Sequence, residues 1–252
     1  MGRKIALITG GSRGLGRNGA LKLAARGVDV ILTYRSQKAE ADAVVAEIGK
    51  LGAAGVALAL DMADSGAFAG FVAQVQAALQ THWQRQAFDY LVNNAGMGIR
   101  GGFAETTEAQ FDQLMNVHLK GVFFLTQALL PVIADGGRIL NVSSGLTRFA
   151  LPGFSAYAAM KGAIEVLTRY LAKELGPRGI AVNVLAPGAI ATDFGGGMVR
   201  DSAEINAFLA SQTALGRVGQ ADDIGGVIAS LLDDANGWVN AQRVEASGGM
   251  FV

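Results

Sequence analysis

The sequence contains no cysteine, which excludes disulfides, thiol nucleophiles and Cys-ligated metals. Histidine is almost as scarce. His82 and His118 stand far apart, neither with a partner at ligand spacing, so no metal site is expected. Net charge is also lacking: 21 basic and 21 acidic side chains cancel, whereas a nucleic-acid binder needs excess Lys and Arg for its phosphate contacts. Long apolar runs are missing as well. Met1-Gly2-Arg3-Lys4 leads into Ile5-Ala6-Leu7-Ile8, a strand's length, too short for a signal-peptide core or a membrane span. Only 17% of residues are charged against 51% hydrophobic, a balance that rules out a disordered chain. The expectation is a soluble, cytoplasmic, globular protein with neither nucleic-acid nor membrane partners.

What the chain has in quantity is glycine, 35 of 252 residues, and a regular alternation of short and long apolar segments. Ile5–Thr9, Val28–Thr33, Val56–Leu60, Tyr90–Val92, Arg138–Val142, Ala181–Leu185 and Arg243–Ala246 read as strands. Between them Leu15–Ala25, Lys38–Lys50, Phe68–Gln80, Glu108–Ile133, Ala156–Leu175 and Asp222–Leu232 carry apolar residues at helical spacing. This alternation predicts an α/β fold, a doubly wound parallel sheet of about seven strands with helices on both faces. No linker, charge block or repeat divides the chain, so residues 1–252 are expected to form one domain. The stretch Gly188–Leu215, with Gly195-Gly196-Gly197 and scattered apolar residues, reads as a long irregular connection, which in a compact domain is usually functional. It is the expected substrate lid.

Thr9-Gly10-Gly11-Ser12-Arg13-Gly14-Leu15-Gly16 follows the first strand and opens the first helix. Glycines 10, 14 and 16 let the backbone turn tightly and lie close to a phosphate, with the helix N-terminus behind it. The spacing G-x-x-x-G-x-G resembles that of the short-chain dehydrogenase/reductase family, and further matches follow in order. Asp61 falls at the end of the third strand and Asn93-Asn94-Ala95-Gly96 after the fourth; Pro187-Gly188 follows the sixth, with Thr192 beyond. The resemblance runs from Lys4 to Gly249. It implies a Rossmann-type fold and a nicotinamide dinucleotide held by Gly10, Ser12, Arg13, Gly14, Leu15 and Gly16. Tyr34, Arg35, Ser36, Asp61, Met62, Asn93, Ala95 and Gly96 would continue that site, with Pro187, Gly188, Ile190 and Thr192 at its far end. An acid closing the second strand would favour NAD. Here the strand ends Leu32-Thr33-Tyr34-Arg35-Ser36, and Arg35 with Arg13 offers donor forks suited to a 2′-phosphate. NADP(H) is the expected cofactor. Asp29 lies at the strand's start, the wrong end of the sheet for a ligand.

Tyr157 and Lys161 stand at i and i+4 of one helix face. Ser144 lies thirteen residues before Tyr157, as in the family, and Asn116 matches the fourth family position. The resemblance therefore implies a catalytic set of Asn116, Ser144, Tyr157 and Lys161. Tyr157 would be the general acid/base, its pKa of about 10 lowered by the Lys161 ammonium and by the positive nicotinamide of the oxidised cofactor. Ser144 would hold the substrate oxygen, Tyr157 and Lys161 would also touch the cofactor, and Asn116 would seat a relay water.

The implied pocket walls are Met97-Gly98-Ile99, Leu146 to Phe149, Pro187 to Ile190 and the lid. They are mostly apolar and suit a moderately hydrophobic ketone or secondary alcohol. Arg100 and Arg148 are either anion contacts or exposed loop residues. The runner-up activity is 3-oxoacyl-carrier-protein reduction. Arg178 falls where such enzymes contact the carrier, but Asp135 falls where a second basic residue would stand. A cofactor-binding scaffold without catalysis is the alternative of another class. Phe111, Leu114, Val117, Phe123, Phe124 and Leu125 in one helix, and Ala163, Val166, Leu167, Tyr170 and Leu171 in another, leave apolar faces that one sheet cannot cover. The family resemblance implies that these helices pair across a two-fold axis and that the apolar Trp238-Val239 and Gly248–Val252 build a second interface. A homotetramer is the expected assembly.

Overall fold

The computed structural model describes residues 2–252. Its centre is one seven-stranded parallel sheet, β1 Ile5–Ile8, β2 Asp29–Tyr34, β3 Gly55–Ala59, β4 Phe88–Asn93, β5 Ile133–Val142, β6 Ala181–Pro187 and β7 Arg243–Ala246, in the order β3-β2-β1-β4-β5-β6-β7. The helices between them are α1 Gly14–Ala24, α2 Lys38–Lys50, α3 Phe68–Trp83, α4 Glu108–Met115, α5 Gly121–Leu129, α6 Ser155–Leu175, α7 Met198–Asp201, α8 Ala203–Ser211 and α9 Ala221–Leu231. The expected fold class and the strand count hold.

Strand alternation divides the core. Ile5 and Leu7 pack with α3, α5 and α6 on one face, while Ala6 and Ile8 pack with α1, α2 and α9 on the other. A sheet covered on both faces has strands apolar throughout, and β1, β4 and β6 are buried at every residue. Strand order reverses between β1 and β4, the place where such sheets open a crevice at their carboxyl ends.

Two expected elements differ. Glu108–Ile133 is not one helix: α4 runs into a π-turn over Asn116–Lys120, α5 resumes, and a 3-10 turn at Leu130–Val132 ends it. Pro131 explains that end, since it offers no N–H to carry the helix on. The chain then enters β5 at Ile133, five residues before the expected start at Arg138. Nor is Gly188–Leu215 irregular throughout. Gly195, Gly196 and Gly197 all take left-handed conformations, but α7 and α8 follow, and Ser202 caps α8 by accepting from Ile205 N. Ser202 ahead of Ala203–Ser211 is the sequence signal of that helix's first turn.

At the amino-terminal edge of the sheet, the Asp29 carboxylate accepts from Trp83 Nε1 at 2.9 Å and Ala54 N at 2.7 Å. It is structural, as its place in the strand implied.

Candidate active site

At the carboxyl ends of β1 and β4 the backbone comes together so closely that only glycine fits. A Cβ on Gly16 would lie 2.2 Å from Gly10 O, and one on Gly10 2.9 Å from Ala95 Cα. Gly10 and Gly14 also have φ of +65° and +56°, conformations that other residues rarely adopt. Asn94 joins the two loops, donating through Nδ2 to Thr9 O at 2.9 Å and Gly10 O at 3.1 Å. Thr9 Oγ1 accepts from Asn94 N and Ala95 N, both at 3.0 Å. Arg13, the residue before α1, makes no side-chain cap, so the first N–H groups of the helix face the cleft free for an anion.

One continuous cleft of about 720 Å³ runs from this turn along the sheet. Gly10, Ser12, Arg13, Gly14 and Leu15 border its first part; Tyr34, Arg35, Ser36, Asp61 and Met62 form its side; Ala95 and Gly96 form its floor. Pro187, Gly188, Ile190 and Thr192 face them. Among the described residues, neither Arg13 nor Arg35 has an acidic partner. Gly16 shapes the turn without bordering the cleft. Asn93 is a correction. Its amide is buried beneath the sheet end and donates to Thr126 Oγ1 at 3.0 Å and Asn141 Oδ1 at 2.8 Å. The neighbour Asn94 is the one that borders the cleft, because β4 extends through Asn93 and successive side chains alternate.

Ser144, Tyr157 and Lys161 meet midway along the cleft. Lys161 Nζ donates to Val142 O at 2.7 Å and lies 5.7 Å from the Tyr157 ring centroid. Of the two expected causes of a lowered Tyr157 pKa, the Lys161 ammonium does not act in this chain by itself. Burial pushes the phenol's pKa up, with only the Ser144 hydroxyl opposing it, and burial brings the Lys161 ammonium down to about 8. The ammonium is bound to the Val142 carbonyl and sits over the ring, so desolvation governs both groups.

Asn116 does not border the cleft. His118, two residues on in the π-turn, does, and it is 1% exposed. Its ring stands edge-on to Tyr157, centroids 5.1 Å apart at 89°. Nε2 lies 2.7 Å from Met97 O, and Nδ1 is buried with no partner among the described residues. Burial first, and then the Lys161 charge, lower its pKa to about 3, so the ring is neutral, with Nε2–H donating to Met97 O. The helical spacing read from the sequence misses this residue because a π-turn inserts one extra position.

Beyond Tyr157 the cleft is apolar. Met97, Gly98, Leu146 and Phe149 border it as expected, and Phe194 lies 5.8 Å from the Tyr157 ring. Leu151, Phe154 and Met250 border it too and were not anticipated. Ile99 does not. Arg100 borders the cleft, whereas Arg148 is engaged by Glu245 at 2.6 Å.

The family model described as enoyl-(acyl carrier protein) reductase matches residues 10–251. The 3-oxoacyl-[acyl-carrier-protein] reductase FabG of Staphylococcus aureus is 35% identical over 251 residues, covering 99% of this chain and 98% of its own length. The promiscuous reductase LugOII, which catalyses keto-reduction at C1 during lugdunomycin biosynthesis, superposes with a TM-score of 0.93 at 37% identity over 99% of this chain and 98% of its own. The angucycline C-6 ketoreductase LanV with bound NADP gives 0.94 at 34% identity, covering 98% and 95%. With the phosphate turn, the strand order and the Ser144–Tyr157–Lys161 cluster already in place, these likenesses settle the kinship: the chain belongs to the short-chain dehydrogenase/reductase family.

Proposed function

We propose that the protein is an NADP(H)-dependent carbonyl reductase that interconverts a moderately hydrophobic ketone and its secondary alcohol. The observation that carries this reading is the position of Tyr157. It stands where the anion-binding end of the cleft passes into the apolar end, with Ser144 and Lys161 beside it. The cradle fits a dinucleotide: Gly10 and Gly16 clear the backbone for a pyrophosphate, and the free Arg13 and Arg35 suit a 2′-phosphate. NADPH, when bound there, supplies the hydride.

This chain's residues supply the proton and the placement. A phenol whose pKa is raised by burial keeps its proton at neutral pH, the state a general acid needs in the reductive direction. Ser144 Oγ holds the carbonyl oxygen and polarises it. Lys161, its ammonium brought down to about 8, yields a proton near neutral pH more readily than a solvated lysine and returns it to Tyr157. The apolar walls exclude water from that exchange. Asn116, set back from the cleft at the start of the π-turn, would act only through a relay water beside Lys161.

A free ketone is favoured over a carrier-bound one. Arg178 is tied to Asp135 at 2.7 Å and donates to Leu130 O at 2.9 Å and Ile133 O at 2.5 Å, so it presents no free charge to an acidic carrier. A scaffold without catalysis has no need of a buried Ser144–Tyr157–Lys161 cluster. The proposal includes a homotetramer working in the cytoplasm; its assembly is supported by the exposed Phe123, Phe124, Tyr170 and Trp238. Among the described residues no helix is long and apolar enough to cross a membrane.

Tyr157→Phe tests the reading, because it keeps the ring and removes the proton. With NADPH and a panel of ketones, turnover falls at least about a hundredfold, the lower range for general acid catalysis, while NADPH affinity is retained. Turnover near that of the parent would overturn the mechanism.

A further inference from the structure

We propose that Met250 and Phe251, held in place by Arg148, form a specificity-determining wall of the substrate cleft that favours ring-bearing ketones; this rests on the carbonyl-reductase reading above. Met250 is 2% exposed and borders the cleft. Phe251 backs that surface from behind, its ring 4.8 Å from that of Phe149, which borders the cleft. Phe149, Phe194 and Tyr157 therefore present three aromatic rings to one space, a lining that suits a planar ring better than a short aliphatic chain.

Phe251 has φ of +52°, a left-handed conformation that a bulky residue keeps only when its surroundings impose it. Here they do. Phe251 N donates to Gln212 O at 2.8 Å, while the Arg148 guanidinium donates to Phe251 O at 3.0 Å and to Met250 O at 2.5 Å. The same guanidinium grips Glu245 with two bonds, 2.6 and 2.8 Å, a planar fork that fixes direction as well as distance. Glu245 stays charged, its pKa held down to about 2 chiefly by Arg148.

This latch continues to the catalytic turn. Glu245 also accepts from Arg243 at 2.9 Å, and Arg243 Nε donates to Glu165 Oε1 at 2.8 Å. Glu165 in turn accepts from Ser143 Oγ at 2.8 Å and Thr147 Oγ1 at 2.7 Å, the residues on either side of the Ser144 turn. The wall is also stitched to the foot of the lid, through Ala214 N to Gly249 O and Leu215 N to Gly248 O, both 3.1 Å. A substrate is thus enclosed by a wall whose position is set relative to Ser144.

The test compares α-tetralone, a fused-ring ketone, with butanone in the parent, in Phe251→Ala and in Arg148→Met. Both variants lower the ratio of kcat/KM for α-tetralone to that for butanone by about fivefold, the scale of one aromatic pair. The change lies in the KM for α-tetralone, and NADPH affinity is retained. If either variant keeps the parent's ratio, the wall and latch are overturned while the reductase reading stands. If the parent reduces neither ketone, that reading falls instead. The wall is then judged by calorimetric titration of α-tetralone into the NADPH complex: weaker binding by both variants supports it, and equal binding overturns it.

Discussion

His118 is a neutral imidazole pressed edge-on against the phenol that the mechanism depends on, and its burial makes it an acid-sensitive part of the fold. Its pKa is about 3 in the folded chain against an ordinary value of 6.5. Between those values the unfolded chain binds more protons than the folded one, so stability rises with pH. The His118 contribution is fully present above pH 6.5 and is lost as pH falls towards about 3. Asparagine has a donor and an acceptor to offer Met97 and does not titrate. In thermal denaturation across this range, His118→Asn should lose melting temperature less steeply than the parent; equal slopes would remove His118 from the acid response. Tyr157 and Lys161 were legible in the sequence because i, i+4 on a helix is a fixed geometry, and Ser144 because its spacing from Tyr157 resembles the family's. His118 was not, because nothing in Asn116-Val117-His118-Leu119-Lys120 announces a π-turn. Asn93 and Asn94 were interchanged for a similar reason: one residue more of strand moves a side chain to the other face.

At the level of elements, the strands and most helices follow from apolar periodicity, and the errors fall where a turn competes with it. The Glu108–Ile133 pattern reads as one helix because both halves are apolar at helical spacing; only Pro131 marks the end in sequence. The lid reads as irregular because of its three glycines and its few strong helix formers; the Ser202 cap is the signal that points the other way. Those glycines still matter. Their left-handed conformations carry no side chain to pack, while Arg200 ties Asp193 to Asp201 across them. The segment is thus a short helical flap on a loose glycine base. Hydrogen exchange over residues 194–211 should be the fastest of any helical segment in the free protein and should slow when NADPH and a ketone are added together, as for a lid that closes over substrate. Unchanged exchange would mean a fixed wall.

For the whole molecule, the sequence predicted apolar residues with no place in a single subunit; Leu114, Val117 and Leu125 do find one, buried in its core, but several of the others stand open. Phe123 and Phe124 are each 43% exposed, Tyr170 64% and Trp238 100%. Exposed aromatic groups on neighbouring elements mark association surfaces, and a two-fold axis would let the same patch serve both copies. Light scattering behind size exclusion should give a species near four times 26.0 kDa; a stable monomer at micromolar concentration would refute the tetramer. Sheet order also governs how this chain comes into being. β1 is made before the other six strands of this sheet, yet it lies inside it between β2 and β4, and parallel neighbours must wait for a crossover before they can pair. Asn94, whose amide clamps the glycine turn, follows Gly10 by 84 residues, a delay on the order of ten seconds at about 5–20 residues per second on the ribosome. Lys161 and Met250 come later still. A nascent chain halted before β4 carries the glycine motif without the site, so NADPH can stabilise only chains that are nearly finished. Whatever stability the nucleotide adds therefore goes to chains that have all parts of the site and not to partial ones.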